Sequence, residues 1–159
     1  MKKLLFTIAF TTLAFAVQAQ EISQHALGLR LGDSDGLGFE ISYQHALGSK
    51  NRLEADLGWR NGHNYDGFQL TGIYQWVWPI ENRFNWYAGV GGGLGNRDFN
   101  HHNDNDDHDD DGVYVFIAGD VGIEYNFEIP LLISLDFRPG IGSNHYDGYD
   151  VALGLRYQF

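Results

Sequence analysis

The last stretch of the chain, YDVALGLRYQF, alternates without a break. Tyr149, Val151, Leu153, Leu155, Tyr157 and Phe159 fall on one side, and Asp150, Ala152, Gly154, Arg156 and Gln158 on the other. A period of two is the signature of a β-strand. The same pattern recurs upstream. Leu131, Ile133, Leu135, Phe137 and Ile141 oppose Ser134, Asp136, Arg138 and two glycines. Val113, Val115, Ile117, Val121, Ile123, Tyr125 and Phe127 oppose Asp120, Glu124 and Asn126. Phe84, Trp86, Ala88, Val90 and Leu94 oppose Asn85, Tyr87 and a run of glycines. Phe68, Leu70, Tyr74, Trp76 and Trp78 oppose Gln69, Thr71 and Gln75. Leu53, Ala55, Leu57 and Trp59 oppose Arg52, Glu54, Asp56 and Arg60, and Leu37, Phe39, Ile41 and Tyr43 oppose Gly38, Glu40, Ser42 and Gln44. The first segment is the least regular: Leu27, Leu29 and Leu31 oppose Ala26, Gly28 and Arg30.

This pattern predicts eight strands. Turn-forming stretches separate them at 32–36, 48–51, 61–67, 79–83, 127–130 and 143–148, and 97–112 is the one long connector. An all-β, eight-stranded antiparallel up-and-down arrangement is expected. Two architectures fit it. A soluble sandwich or lipocalin-like barrel turns its apolar face inward, whereas a membrane barrel turns the apolar face to lipid and the polar face to the interior.

Three details favour the membrane barrel. The polar face is rich in small residues, among them Gly28, Gly38, Gly89, Gly91, Gly93, Gly95, Ala118, Gly140, Gly142, Ala152 and Gly154. A water-facing surface has no need of small residues, but the interior of an eight-stranded barrel is just wide enough for side chains to fill. The charges on that face are Arg with Asp and Glu, without Lys, a combination suited to desolvated bidentate pairing. The expected interior network is Arg30, Glu40, Arg52, Glu54, Asp56, Asp120, Glu124, Asp136, Arg138, Asp150 and Arg156. Finally, the aromatics sort by height. With strand one starting in the periplasm, Tyr43, Trp76, Trp78, Phe84, Trp86, Tyr125, Phe127, Tyr157 and Phe159 fall at the periplasmic end, and Phe39, Trp59, Phe68 and Tyr149 nearer the other rim. Two aromatic girdles are what a membrane-spanning barrel needs at its two interfaces.

Composition narrows the compartment. Lys2 and Lys3, an apolar run from Leu4 to Val17, and Val17-Gln18-Ala19 read as a cleaved secretory signal peptide over 1–19, leaving 20–159 as one barrel domain. The apolar run is short for a membrane span of about 20 residues. The absence of Cys excludes a disulfide scaffold and a thiolate metal site. Loss of the two leader lysines takes the net charge from −11 to −13, which makes nucleic acid a poor partner.

With these features the chain resembles the small OmpA/OmpX-type outer-membrane β-barrel proteins over its whole mature length. The resemblance implies an outer-membrane location in a Gram-negative bacterium, with lipid and lipopolysaccharide as surroundings. It also implies handling by periplasmic chaperones and the barrel-assembly machinery. Phe159 and Tyr157, at the end of the last alternating strand, match the signal such proteins present to that machinery. A monomer is the default. No peptidoglycan-binding domain of the OmpA kind is expected after Phe159, and the outer loops are mostly shorter than those of the OmpX kind.

Three kinds of function are open. An interior filled with ion pairs argues for a plugged barrel over a wide pore, though the glycine run 89–95 leaves room for a narrow small-solute channel. Ser143 and His145 share a strand face, as a lipid A-modifying hydrolase would need. The lipid A deacylase family, however, carries His before Ser, and no acid is fixed here to orient His145. The third is surface binding. The stretch HHNDNDDHDDDG, 101–112, holds three His and six Asp in the expected third outer loop. Asp107, Asp109 and Asp111 before Gly112 match the opening of a Ca²⁺ loop, but its twelfth position is Ala118, which cannot ligate. His101, His102 and His108 suit Zn²⁺ instead. No cofactor is required, weak Ca²⁺ or Zn²⁺ binding is the candidate chemistry, and a plainly solvated charged loop is the alternative.

Overall fold

Strands with one apolar and one polar face must hide one of them, and closing the sheet on itself hides the polar one. The computed structural model describes residues 22–33, 37–61, 65–99, 112–143 and 147–159. They form eight strands: β1 (His25–Asp33), β2 (Leu37–Ala46), β3 (Asn51–Asn61), β4 (Tyr65–Glu81), β5 (Phe84–Phe99), β6 (Gly112–Asn126), β7 (Leu131–Gly142) and β8 (Asp147–Gln158). Each pairs antiparallel with the next, and β1 pairs with β8, so the barrel is closed. Closure leaves no free sheet edge, the condition for a sheet to sit in lipid with every backbone group paired.

The two faces separate cleanly. On β1, Leu27, Leu29 and Leu31 are each nearly half exposed while Arg30 between them is 0% exposed. On β8, Val151, Leu153 and Leu155 face out while Asp150, Ala152 and Arg156 are buried. A belt of outward Leu, Ile, Val and Phe running round all eight strands far exceeds the few hundred Å² of contiguous apolar surface that a soluble monomer tolerates. In lipid the same belt is solvated. The fold is therefore a transmembrane β-barrel with a polar interior. Among the described residues no helix is long and apolar enough to cross a membrane.

Aromatic rings mark both ends of the belt. At the end carrying the start of β1, Trp78 stacks on Trp86 at 4.4 Å, Phe84 packs on Tyr125 at 4.7 Å, and Tyr125 meets Phe127 edge-on at 4.8 Å. At the other end Phe39 stacks on Trp59 at 6.1 Å and Phe137 packs on Tyr149 at 5.7 Å.

Some boundaries differ from the sequence expectation. The stretch 79–83 was expected as a turn, yet β4 runs on to Glu81 and only Asn82 and Arg83 turn, both at positive φ (48° and 127°). Pro79 is tolerated in the strand because β3 has ended there. Val77 N–H makes the last bond to that side, to Lys50 O at 2.8 Å, and the next amide pointing the same way would be that of residue 79. The ladder also shifts register between Pro79 and Glu81. The long connector is shorter than 97–112, because Arg97 pairs with Gly112 and β5 continues to Phe99. The turn at 61–67 narrows likewise, with Asn61 paired to Asp66.

Candidate functional site

The interior is where the buried chemistry lies. Alternation sends every second residue inward, and the register decides which of them meet. Among the described residues four arginines and seven carboxylates are buried there. Arg30 on β1 is the hub of one cluster. Its Nη1 donates to Glu40 on β2 at 2.9 Å and to Asp150 on β8 at 2.6 Å, and its Nε donates to Asp136 on β7 at 3.1 Å. Arg138 on β7 reaches across the lumen to β3, donating to Glu54 and Asp56 at 2.8 Å each, with Asp120 of β6 at 3.7 Å. Arg156 on β8 donates to Ser42 at 3.0 Å, Ser134 at 2.8 Å and Glu54 at 3.2 Å. Glu54 therefore joins two arginines and receives Gln44 besides. Arg52 on β3 pairs with Glu124 on β6 at 2.7 Å, donates to Gln75 at 2.6 Å and lies 4.9 Å above the Tyr87 ring.

Asn85 and Gln75 extend this network to the acids of β6: Asn85 donates to Glu124 at 3.1 Å and Gln75 to Asp120. Every arginine meets acids from other strands, so the network ties opposite walls together. Pairs buried this way add little net stability, but breaking one leaves an uncompensated charge.

A second region is filled differently. Towards the end of the barrel that carries the β5–β6 connector, Ile73, Tyr114, Phe116 and Ala118 form a buried apolar cluster. They lie over the β5 glycines. A Cβ on Gly93 would stand 2.7 Å from Phe116 Cζ, and one on Gly95 would stand 2.5 Å from Tyr114 Oη. The glycines are thus seats for rings, and Tyr114 caps its seat by donating to Gln69 at 2.9 Å. A similar seat holds Tyr87 against Gly122. Within the run 89–95, rings face Gly93 and Gly95, and Ile73 and Gln75 face Gly89.

The closed sheet, with outward apolar and inward charged faces, has counterparts among solved structures. The N-terminal β-barrel domain of Pseudomonas aeruginosa OprF matches with a TM-score of 0.69 at 14% identity, over 85% of this chain and 96% of that one. What these structures share with the chain is the fold, a closed eight-stranded antiparallel β-barrel. Neisserial surface protein A matches at 0.62 and 11% identity, over 85% and 94% of the two chains. Ail, the attachment invasion locus protein of Yersinia pestis, matches at 0.56 and 17% identity, over 86% and 97%. No protein-family model and no curated protein sequence matches the chain.

The closed barrel places the remaining candidates. Phe159 lies at the β1–β8 seam, where its N–H donates to His25 O at 2.9 Å and its O accepts from His25 N–H at 3.1 Å. Tyr157 pairs with Leu27 and with Leu131. Ser143 is engaged with β6: its Oγ accepts from Val115 N–H at 3.0 Å. His145 lies outside the described residues, and so do His101, His102, Asp107, His108, Asp109 and Asp111 of the acidic connector. Among the described residues no group of three or more His, Asp or Glu is placed to hold a metal ion. Sequence reasoning did not single out Tyr114, Phe116 and Ile73. Extending the alternation from Asp120 back through Ala118 puts both rings inside, so the signal was present.

Proposed function

We propose that the chain is an outer-membrane protein of a Gram-negative bacterium, exported with a cleaved leader over 1–19, that works through its outer surface and not by conducting solutes. The observation that carries this reading is the filled interior. Arg30, Arg138, Arg156 and Arg52 bridge the walls through carboxylates, and Phe116 and Tyr114 occupy the glycine seats. An eight-stranded barrel has little lumen to spare once such side chains are in place. The hydrogen bond between Ser143 Oγ and the Val115 backbone favours a non-catalytic reading of that residue.

The protein stands in the membrane as a monomer among lipid and lipopolysaccharide, having been passed on by periplasmic chaperones and inserted by the barrel-assembly machinery. Phe159 and Tyr157 serve as its assembly signal. It needs no cofactor and binds no nucleic acid. Its outer loop, with Asp107, Asp109, Asp111, His101, His102 and His108, captures Ca²⁺ or Zn²⁺ weakly at the anionic lipopolysaccharide surface. Ail has been seen with the heparin analogue sucrose octasulfate. An outer loop with six Asp in twelve residues makes a polysulfate a poor ligand here.

Planar-bilayer recording tests the filled interior: no steps of porin size are expected, and such steps would overturn the reading. Calorimetry with Ca²⁺ and Zn²⁺ separately, on the intact barrel and on a form lacking the 101–111 segment, tests the loop. Ca²⁺ heat from the intact form alone and a larger Zn²⁺ heat from the intact form than from the shortened one are expected, and equal heats from both with either ion would remove the loop as the cation site.

A further inference from the structure

The geometry points to a two-histidine site for a divalent transition-metal ion, formed by His25 and His45 on the outer face of the barrel at the rim where β1 begins. His25 and His45 stand directly opposite each other in the β1–β2 ladder. The neighbouring pair carries the hydrogen bond, Ala46 N–H to Gln24 O at 2.9 Å, and the His25 amide is turned to β8. The two histidines therefore occupy a non-hydrogen-bonded position, where opposed side chains come closest.

Their rings stack with centroids 4.9 Å apart, and the two Nδ1 atoms are 3.3 Å from each other. Two imidazole nitrogens bound to one tetrahedral ion at ~2.0–2.1 Å stand about 3.3–3.4 Å apart. The separation that chelation requires is already present, and small rotations of the two rings aim both nitrogens at one ion.

The neighbouring side chains suit the same ligand. Tyr43 Oη lies 2.8 Å from His25 Nδ1, and the Phe159 ring stacks on His25 at 5.4 Å. The Phe159 ring holds the His25 imidazole in place, and when the ion takes His25 Nδ1 the Tyr43 hydroxyl leaves that nitrogen and can accept from a water on the ion. With both imidazoles neutral, the contact between the two nitrogens needs one Nδ1–H and one lone pair. Binding moves that proton to the Nε2 of the same ring and presents two lone pairs to the ion, so no proton is released. Two imidazoles with open positions for water favour Zn²⁺, Ni²⁺ or Cu²⁺ over Ca²⁺ or Mg²⁺, which take oxygen donors. This site is on β1 and β2, separate from the acidic connector between β5 and β6, and does not depend on it.

The test uses the full mature chain, refolded in detergent micelles, with the connector histidines removed as H101N/H102N/H108N. Zn²⁺ titration is expected to show one equivalent bound. H25Q and H45Q, each added to that background, are expected to weaken binding by at least about tenfold, as loss of a directly ligating group should exceed the usual effect of losing its support. Unchanged affinity in both, or no binding in the parent, would overturn the site. Cu²⁺ added to the unsubstituted barrel gives a second readout that needs no variant to fold. Amide NMR signals of His25, His45 and Phe159 are expected to broaden at substoichiometric metal, whereas broadening restricted to other regions would equally overturn it.

Discussion

Two parts of one barrel interior fill the same kind of space by opposite means. Around β1, β2, β3, β7 and β8 the lumen is spanned by Arg30, Arg138 and Arg156, each meeting carboxylates or hydroxyls from more than one strand. Near the β5–β6 connector it is filled by rings resting on glycines. The first depends on charge balance between strands far apart in the chain. The second depends on shape, since a ring fits only where the facing backbone carries no Cβ. The charged region is intolerant of losing one partner but tolerant of losing a matched pair. The aromatic region is intolerant of added volume and indifferent to charge.

Substitutions break the comparison in graded steps. Arg30→Met strips Glu40, Asp136 and Asp150 of their shared cation, and urea unfolding in detergent should show a loss of about 3–5 kcal/mol. In the aromatic region Gly93→Ala sets a methyl against the Phe116 ring and also against the Leu70 carbonyl, so the ring alone cannot relieve it. The expected loss is about 1–3 kcal/mol by the same assay.

Arg52→Met should be destabilising, and Glu124→Gln added to it should recover part of the loss. A double-mutant coupling near zero would show that the two side chains act independently. Tyr114→Phe removes only the bond to Gln69 and should lower stability by about 0.5–1.5 kcal/mol, leaving the ring in its seat. Raising salt should leave the Gly93→Ala effect unchanged, because no charge is involved.

Much of this was legible in the sequence, and the reasons are physical. Period-two alternation makes each strand visible on its own, and it assigns Arg30 or Glu54 to the inside without any knowledge of partners. Partner choice was not legible. Arg30 and Asp136 are separated by 106 positions, and Arg138 and Glu54 by 84, so their meeting follows from barrel closure and register. The ring seats are hidden for the same reason. Gly95 faces Tyr114 only because β5 and β6 pair in the register that also sets Gly93 opposite Phe116. The pairing of His25 with His45 was equally invisible, since their shared height depends on where the β1–β2 turn falls. Strand ends were misjudged where Pro79 reads as a turn residue but sits beyond the end of β3.

The Arg30 cluster also bears on the order of assembly. Within its own hairpin Arg30 has one acid, Glu40, ten positions away, whereas Asp136 and Asp150 arrive with the last two strands. A chain that had made only its early hairpins would balance the charge of Arg30 with Glu40 but leave the guanidinium N–H groups that bond Asp136 and Asp150 without those partners, which is costly away from water. The hydrogen-bond set of Arg30 and the closure of the sheet are completed by the same strand, β8. Full pairing of Arg30 is thereby tied to contacts of long sequence separation, the kind that loop closure makes slow to form.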